Sequence, residues 1–88
     1  MTRYWFEFDF KDYPDNIPPG AYYGCGITAY NCDQAMLLLK NKVFKNKDLP
    51  KIFKLLENVD VSTLDQGVVI PNMRPPSYIG IWFPLGYE

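Results

Sequence analysis

Two cysteines, one pair of carboxylates and a block of lysines are the side chains of this 88-residue chain from which chemistry could be built. Cys32 stands where a helix is expected to begin. Backbone N–H groups and the helix dipole at such a position stabilise a thiolate and lower its pKa. The chain contains no histidine, however, which removes the commonest general base and the usual partner of a cysteine or serine nucleophile. Cys32 is therefore read as a small buried residue opening the apolar stripe of a helix. Glu7 and Asp9 lie two apart on one strand face, roughly 7 Å by strand geometry, a separation that acid–base pairs can have. Two like charges on a solvated strand are ordinary surface, and we do not read them as catalytic. Cys25 and Cys32 without histidine cannot complete the usual tetrahedral zinc sets. Gly24-Cys25-Gly26 continues without a third glycine or a lysine, so no phosphate-binding loop is expected. The expectation is a protein that is not an enzyme and uses no cofactor or metal.

Charge is segregated along the chain although the net value is only −1. Lys40, Lys42, Lys45, Lys47, Lys51 and Lys54 form a basic block, with acids dominating before and after it. Such a block suits phosphate, which makes a small nucleic-acid-associated protein using the Lys40–Lys54 patch the alternative reading. RNA-reading surfaces combine basic residues with exposed aromatics, and Phe53 is expected to pack inward here. The block is therefore read as a solvated helix face. The acidic pole is the more informative. Trp5 shares a strand face with Glu7 and Asp9, Asp12 and Asp15 follow, and Tyr22 lies on the next strand. A large aromatic beside carboxylates has the character of a binding hot spot for a cationic partner, and Gly24 and Gly26 would leave room for its side chains. Arg74, held between Met73 and Pro75-Pro76, is a second candidate contact.

These residues must be positioned by a small α+β fold. Tyr4 to Phe10 alternates with period two and predicts a half-buried strand. A turn-rich connection through Pro14 and Pro18-Pro19-Gly20 leads to a second strand over Ala21 to Ala29, with Tyr23, Cys25, Ile27 and Ala29 inward. Asn31 with Gln34 three residues on predicts a capped helix, whose stripe is Cys32, Ala35, Met36, Leu39 and Val43. A second helix is expected from Asp48 and Pro50, with Ile52, Leu55, Leu56 and Val59 inward and Lys51 and Lys54 toward solvent. Ser62 with Asp65 predicts one capped helical turn, and Val68-Val69-Ile70 a short β run. The prolines of residues 71–76 make a loop, and Ser77 to Phe83 a last strand, with Ser77, Ile79, Ile81 and Phe83 opposite Tyr78, Gly80 and Trp82. The order ββααββ predicts a mainly antiparallel four-stranded sheet with two helices on one face. Its other face would stay open for recognition. No apolar run approaches the roughly 18 residues that span a bilayer, and the first residues lack a signal-peptide core. A single cytoplasmic domain over 1–88 is expected. Two cysteines are too few for a disulfide framework; reduced thiols are expected, with a Cys25–Cys32 bridge left open.

The runs Gly26-Ile27-Thr28-Ala29-Tyr30-Asn31, Asp33-Gln34-Ala35-Met36-Leu37-Leu38-Leu39-Lys40, Val69-Ile70-Pro71-Asn72-Met73-Arg74-Pro75-Pro76 and Gly80-Ile81-Trp82-Phe83-Pro84 together resemble small bacterial α+β immunity proteins. Those proteins are partners of polymorphic or contact-dependent growth-inhibition toxins. The resemblance implies a cytoplasmic inhibitor that occludes a cognate toxin domain, and it carries no binding residue over by position. The acidic surface of Trp5, Glu7, Asp9, Asp12, Asp15 and Tyr22 would then meet a basic partner. A homodimer through the Tyr78 and Trp82 face is a further expectation.

Overall fold

The computed structural model describes residues 1–87; Glu88, the last of the acids, lies outside the described residues. Four strands form one antiparallel sheet: β1 (Thr2–Asp9), β2 (Cys25–Ala29), β3 (Lys51–Glu57) and β4 (Gly80–Phe83), in spatial order β3-β1-β2-β4. One helix, α1 (Cys32–Leu38), runs on as a π-helical turn over Leu39–Val43. The radius of gyration, 11.8 Å, is that of a compact chain of this length.

β1 organises the molecule because it is paired on both sides. It meets β2 from Thr2↔Ala29 to Phe6↔Cys25 and β3 from Tyr4↔Glu57 to Asp9↔Lys51. Its period-two alternation divides two cores. Tyr4, Phe6 and Phe8 join Cys25, Ile27, Ala29 and Ile81 beneath Ala35, Leu39, Val43 and Phe44 of the helix and the turn after it. The helix starts where capping predicts. The Asn31 side chain accepts from the Gln34 N–H at 2.8 Å, and Gln34 Oε1 accepts from the Tyr30 N–H at 2.7 Å. The first pairing satisfies a donor that the first turn would otherwise leave to solvent, and the second ties the chain just before the cap to that turn.

The second helix is absent, and the order is ββαββ; residues 51–57 are β3 instead. Helical spacing was imitated by a bulge. Glu7 opposes Lys54 and Phe8 opposes Ile52, so Phe53 is an extra residue in the ladder. Ile52 and Leu55, three apart in sequence, thereby fall beside Phe8 and Phe6 on one side of the sheet. A helix here would also have left the outer N–H and C=O row of β1 without the partners that β3 supplies.

The second face of the sheet is covered around Trp5 and Trp82 rather than left open there. The irregular stretch of residues 58–79 folds over it, with 3₁₀ turns at Val61–Thr63 and Ile70–Asn72. Val59, Leu64 and Val69 pack there against Trp5, Trp82 and Phe83. The Val59 N–H donates to Arg3 O at 3.1 Å, Thr28 Oγ1 to Pro76 O at 2.7 Å and the Arg74 N–H to Trp82 O at 2.8 Å. Trp5 and Trp82 stack with centroids 6.0 Å apart. The space predicted for a partner at Gly24 and Gly26 is filled from within, since a Cβ at Gly24 would strike the Trp5 ring and one at Gly26 the Trp82 ring.

Smaller departures have local causes. Residues 21–23 form a 3₁₀ turn ahead of β2, which leaves Tyr23 exposed rather than inward. The last strand is only four residues long, and a bulge opposite Gly26/Ile27 puts Phe83 with Trp82 instead of with Ile81. Val68-Val69-Ile70 forms no strand. Asp60 rather than Ser62 caps the turn at Val61, accepting from the Ser62 N–H at 3.1 Å, while Asp65 Oδ1 accepts from Gly67 and Val68 N–H groups.

Each large apolar side chain in the second core contributes roughly 1.5–3 kcal/mol, and overpacking such a layer costs about 1–3 kcal/mol. Gly26→Ala should therefore lower unfolding stability by about 2 kcal/mol in urea titrations followed by tryptophan fluorescence. An unchanged midpoint would show that the Trp82 ring does not depend on the missing Cβ.

Candidate functional site

The residues expected at a binding surface are separated by the fold into four places. Trp5 is 2% exposed and is a core residue, not a surface hot spot, because the 58–79 segment covers its end of β1. It still shapes the surface. Its Nε1–H donates to Glu7 Oε2 at 2.8 Å, which holds the carboxylate against the sheet where the cover ends. Two residues on, Asp9 Oδ1 accepts from the Lys11 N–H at 2.9 Å. Each carboxylate thus keeps one oxygen outside these bonds, and among the described residues neither is ion-paired.

Glu7 and Asp9 floor an open depression of about 680 Å³ over the end of β1. Tyr22 and Phe53 line it as well, each 72% exposed, and Phe8, Phe10, Lys11 and Ile17 complete the lining. Tyr22 is displayed by the 3₁₀ turn before β2, and its ring meets Tyr23 edge-on at 6.0 Å. Phe53 is displayed by the bulge in β3; as the residue inserted into the ladder it is exposed, where it was expected to pack inward from a helix. Sequence reasoning missed Phe53 because the bulge copies helical spacing. The available signal was the run Ile52-Phe53 after Pro50, apolar and β-prone.

Asp12 and Asp15 belong to a neighbouring hollow with Tyr13, Asp48 and Lys51, and Asp9 borders both. Asp15 is engaged by Lys47 Nζ at 3.2 Å, and Asp48 lies 3.8 Å from Lys40 Nζ. Burial and the charge of Asp15 push the Tyr13 hydroxyl up, against a smaller opposing pull from Lys47. Arg74 lies apart, lining a hollow beside β4 with Lys42, Tyr78 and Ile79. Tyr78 is exposed there but Trp82 is buried, so the pair does not form the shared outer face expected for a homodimer.

The lysine block is not the back of two helices. Lys40 and Lys42 are on the π-helical turn, Lys45 and Lys47 in the following turn, and Lys51 and Lys54 on β3. The register sets Lys51 across from Asp9 and Lys54 across from Glu7. The segregation along the chain therefore folds into a mixed surface.

Catalytic chemistry finds little support in the thiols. Both cysteines are free. Burial pushes the Cys25 thiol well up. Burial, followed by the charges of Glu57 and Asp33, raises the Cys32 thiol too. Its Sγ lies 3.9 Å from Met36 Sδ. Among the described residues no three His, Cys, Asp or Glu side chains could hold a metal ion, and no helix is long and apolar enough to cross a membrane. Comparison with protein-family models, curated proteins and solved structures finds no match to this chain.

A raised thiol pKa reduces the thiolate fraction at neutral pH. Cys32 should thus react with a disulfide reagent at pH 7.5 more slowly than a free thiol, and Glu57→Gln should speed that reaction by removing a charge that disfavours thiolate. Titration of Cys32 below pH 7 would overturn this account and revive a nucleophilic role.

Proposed function

We propose that this chain is a non-catalytic protein-binding domain whose contact surface is the Glu7, Asp9, Tyr22 and Phe53 depression. One observation carries the reading. Two rings with most of their surface in water flank two carboxylates that the fold holds in place but does not neutralise. Exposed apolar groups grouped around fixed polar ones are what a protein partner desolvates at an interface centre. Asp12, and Asp15 with its lysine, lie on the rim through Asp9, where charge tunes the rate of encounter.

Within this reading, the finer proposal is an immunity-type inhibitor acting in the bacterial cytoplasm, which neutralises a toxin domain by covering a basic active surface. Nuclease toxins are basic where they hold phosphate, so an acidic, aromatic patch can occupy that surface. The nucleic-acid alternative has weaker support, because Lys40 and Lys47 are engaged by Asp48 and Asp15, and Lys51 and Lys54 face acids across the ladder.

Affinity capture with the wild-type chain and with Tyr22→Ser/Phe53→Ser as parallel baits tests the proposal, with Tyr78→Ser as a surface control. A partner retained by wild type and control and lost by the double variant is expected. That partner should arrest growth when expressed alone and be silenced by co-expression of the wild-type chain. Equal recovery on all three baits would remove the depression as the contact surface; a captured partner without toxicity would remove the inhibitor reading.

A further inference from the structure

We propose that the depression over the end of β1 is a clamp for an arginine side chain presented by a partner protein. The inference rests on reading this depression as a contact surface, and it names the group that enters it. Its floor calls for a cation. Glu7 and Asp9 are neighbours on one strand face, each with one oxygen fixed by Trp5 Nε1–H or the Lys11 N–H and the other unbonded among the described residues. Two unpaired like charges this close are relieved by an incoming positive group. Lys11 lines the depression and Lys54 and Lys51 stand opposite the two acids across the ladder, yet among the described residues none of the three closes into an ion pair with them.

The walls choose among cations. Tyr22 and Phe53 offer exposed aromatic surface to whatever enters. Guanidinium is planar, stacks on aromatic faces, sheds water more readily than an ammonium and spreads its donors in a fork. That fork can reach two separate carboxylate oxygens at once. An ammonium is a compact, strongly hydrated charge that gains less from the rings. A neutral apolar side chain would satisfy the walls and leave both carboxylates desolvated and unpaired, which is costly. The chemistry of floor and walls together therefore favours arginine.

The probe is N-acetyl-arginine amide, titrated into the ¹⁵N-labelled chain at low salt, with the lysine and citrulline analogues as comparators. Arginine should shift resonances of Glu7, Asp9, Tyr22 and Phe53, with the uncharged citrulline analogue about tenfold weaker. Glu7→Gln/Asp9→Asn keeps acceptors for Trp5 Nε1–H and the Lys11 N–H, so the fold should persist while the arginine shifts vanish. Citrulline binding equal to arginine, shifts that survive in that variant, or no shift at all would overturn the clamp. Lysine binding as tight as arginine would overturn the guanidinium assignment. If the probe fails while Tyr22→Ser/Phe53→Ser still loses a captured partner, the clamp is wrong and the contact surface stands; if both fail, the functional reading falls with it.

Discussion

The fold depends on the tight layer formed where Trp5 and Trp82 stack over two glycines. β1 carries aromatic side chains on both faces, so burying only one face would leave Trp5 and its neighbours in water. The chain resolves this with little regular structure. The absence of Cβ atoms at Gly24 and Gly26 lets the two indoles lie close to the sheet, and residues 58–79 then need only Val59, Leu64 and Val69 to close the layer. The cost is visible too: Trp82 Nε1 is buried with no hydrogen-bond partner among the described residues, a penalty of order 1–3 kcal/mol that the stacking and burial must outweigh. Trp5 avoids that penalty by donating to Glu7, which ties the core directly to the surface.

That tie explains why the second face is covered at one end and open at the other. The segment after β3 seals Trp5 and the neighbouring part of β4, and its edge at Thr63, Leu64 and Asp65 borders a hollow shared with Glu7. Beyond that line, the side chains displayed are those that local geometry forces outward. The 3₁₀ turn before β2 presents Tyr22, and the bulge in β3 presents Phe53. Bulges commonly re-aim one side chain and twist an edge strand away from unwanted pairing. In β3 the same irregularity interrupts an edge that also carries Lys51 and Lys54, and it supplies one wall of the depression.

What could be read from the sequence follows from the range of the forces involved. The alternation of β1, the Asn31 cap and the helical stripe through Ala35, Leu39 and Val43 are local patterns, and all appear in the structure. β3 was hidden because a bulge makes Ile52 and Leu55 mimic helical spacing, and only pairing with a distant strand distinguishes the two. The cover over Trp5 was hidden for a related reason. Val59, Leu64 and Val69 have no period, since they reach the sheet from turns rather than from an element with a repeating face. Glu7 and Asp9 could be grouped from strand parity alone, whereas Tyr22, expected on the second strand, reaches them from a 3₁₀ turn. Phe53 could not join them until the register was known, and Trp5 could be placed on their face without revealing that this face was sealed above it.

Charge shows the same difference between order along a chain and order in space. Six lysines in one stretch and acids in another suggest two poles, but antiparallel pairing lays the basic β3 beside the acidic β1. Asp15 and Asp48 become partners of Lys47 and Lys40. Net charge on either stretch therefore says little about attraction to a partner. What distinguishes an acid is whether the fold has already supplied its counter-charge. Glu7 and Asp9 are held by N–H donors, which fix a carboxylate without neutralising it, and they share a depression with two exposed rings. A surface organised in this way recognises one well-placed cation better than a general positive field, because its charge is small in extent and its aromatic walls require a particular shape.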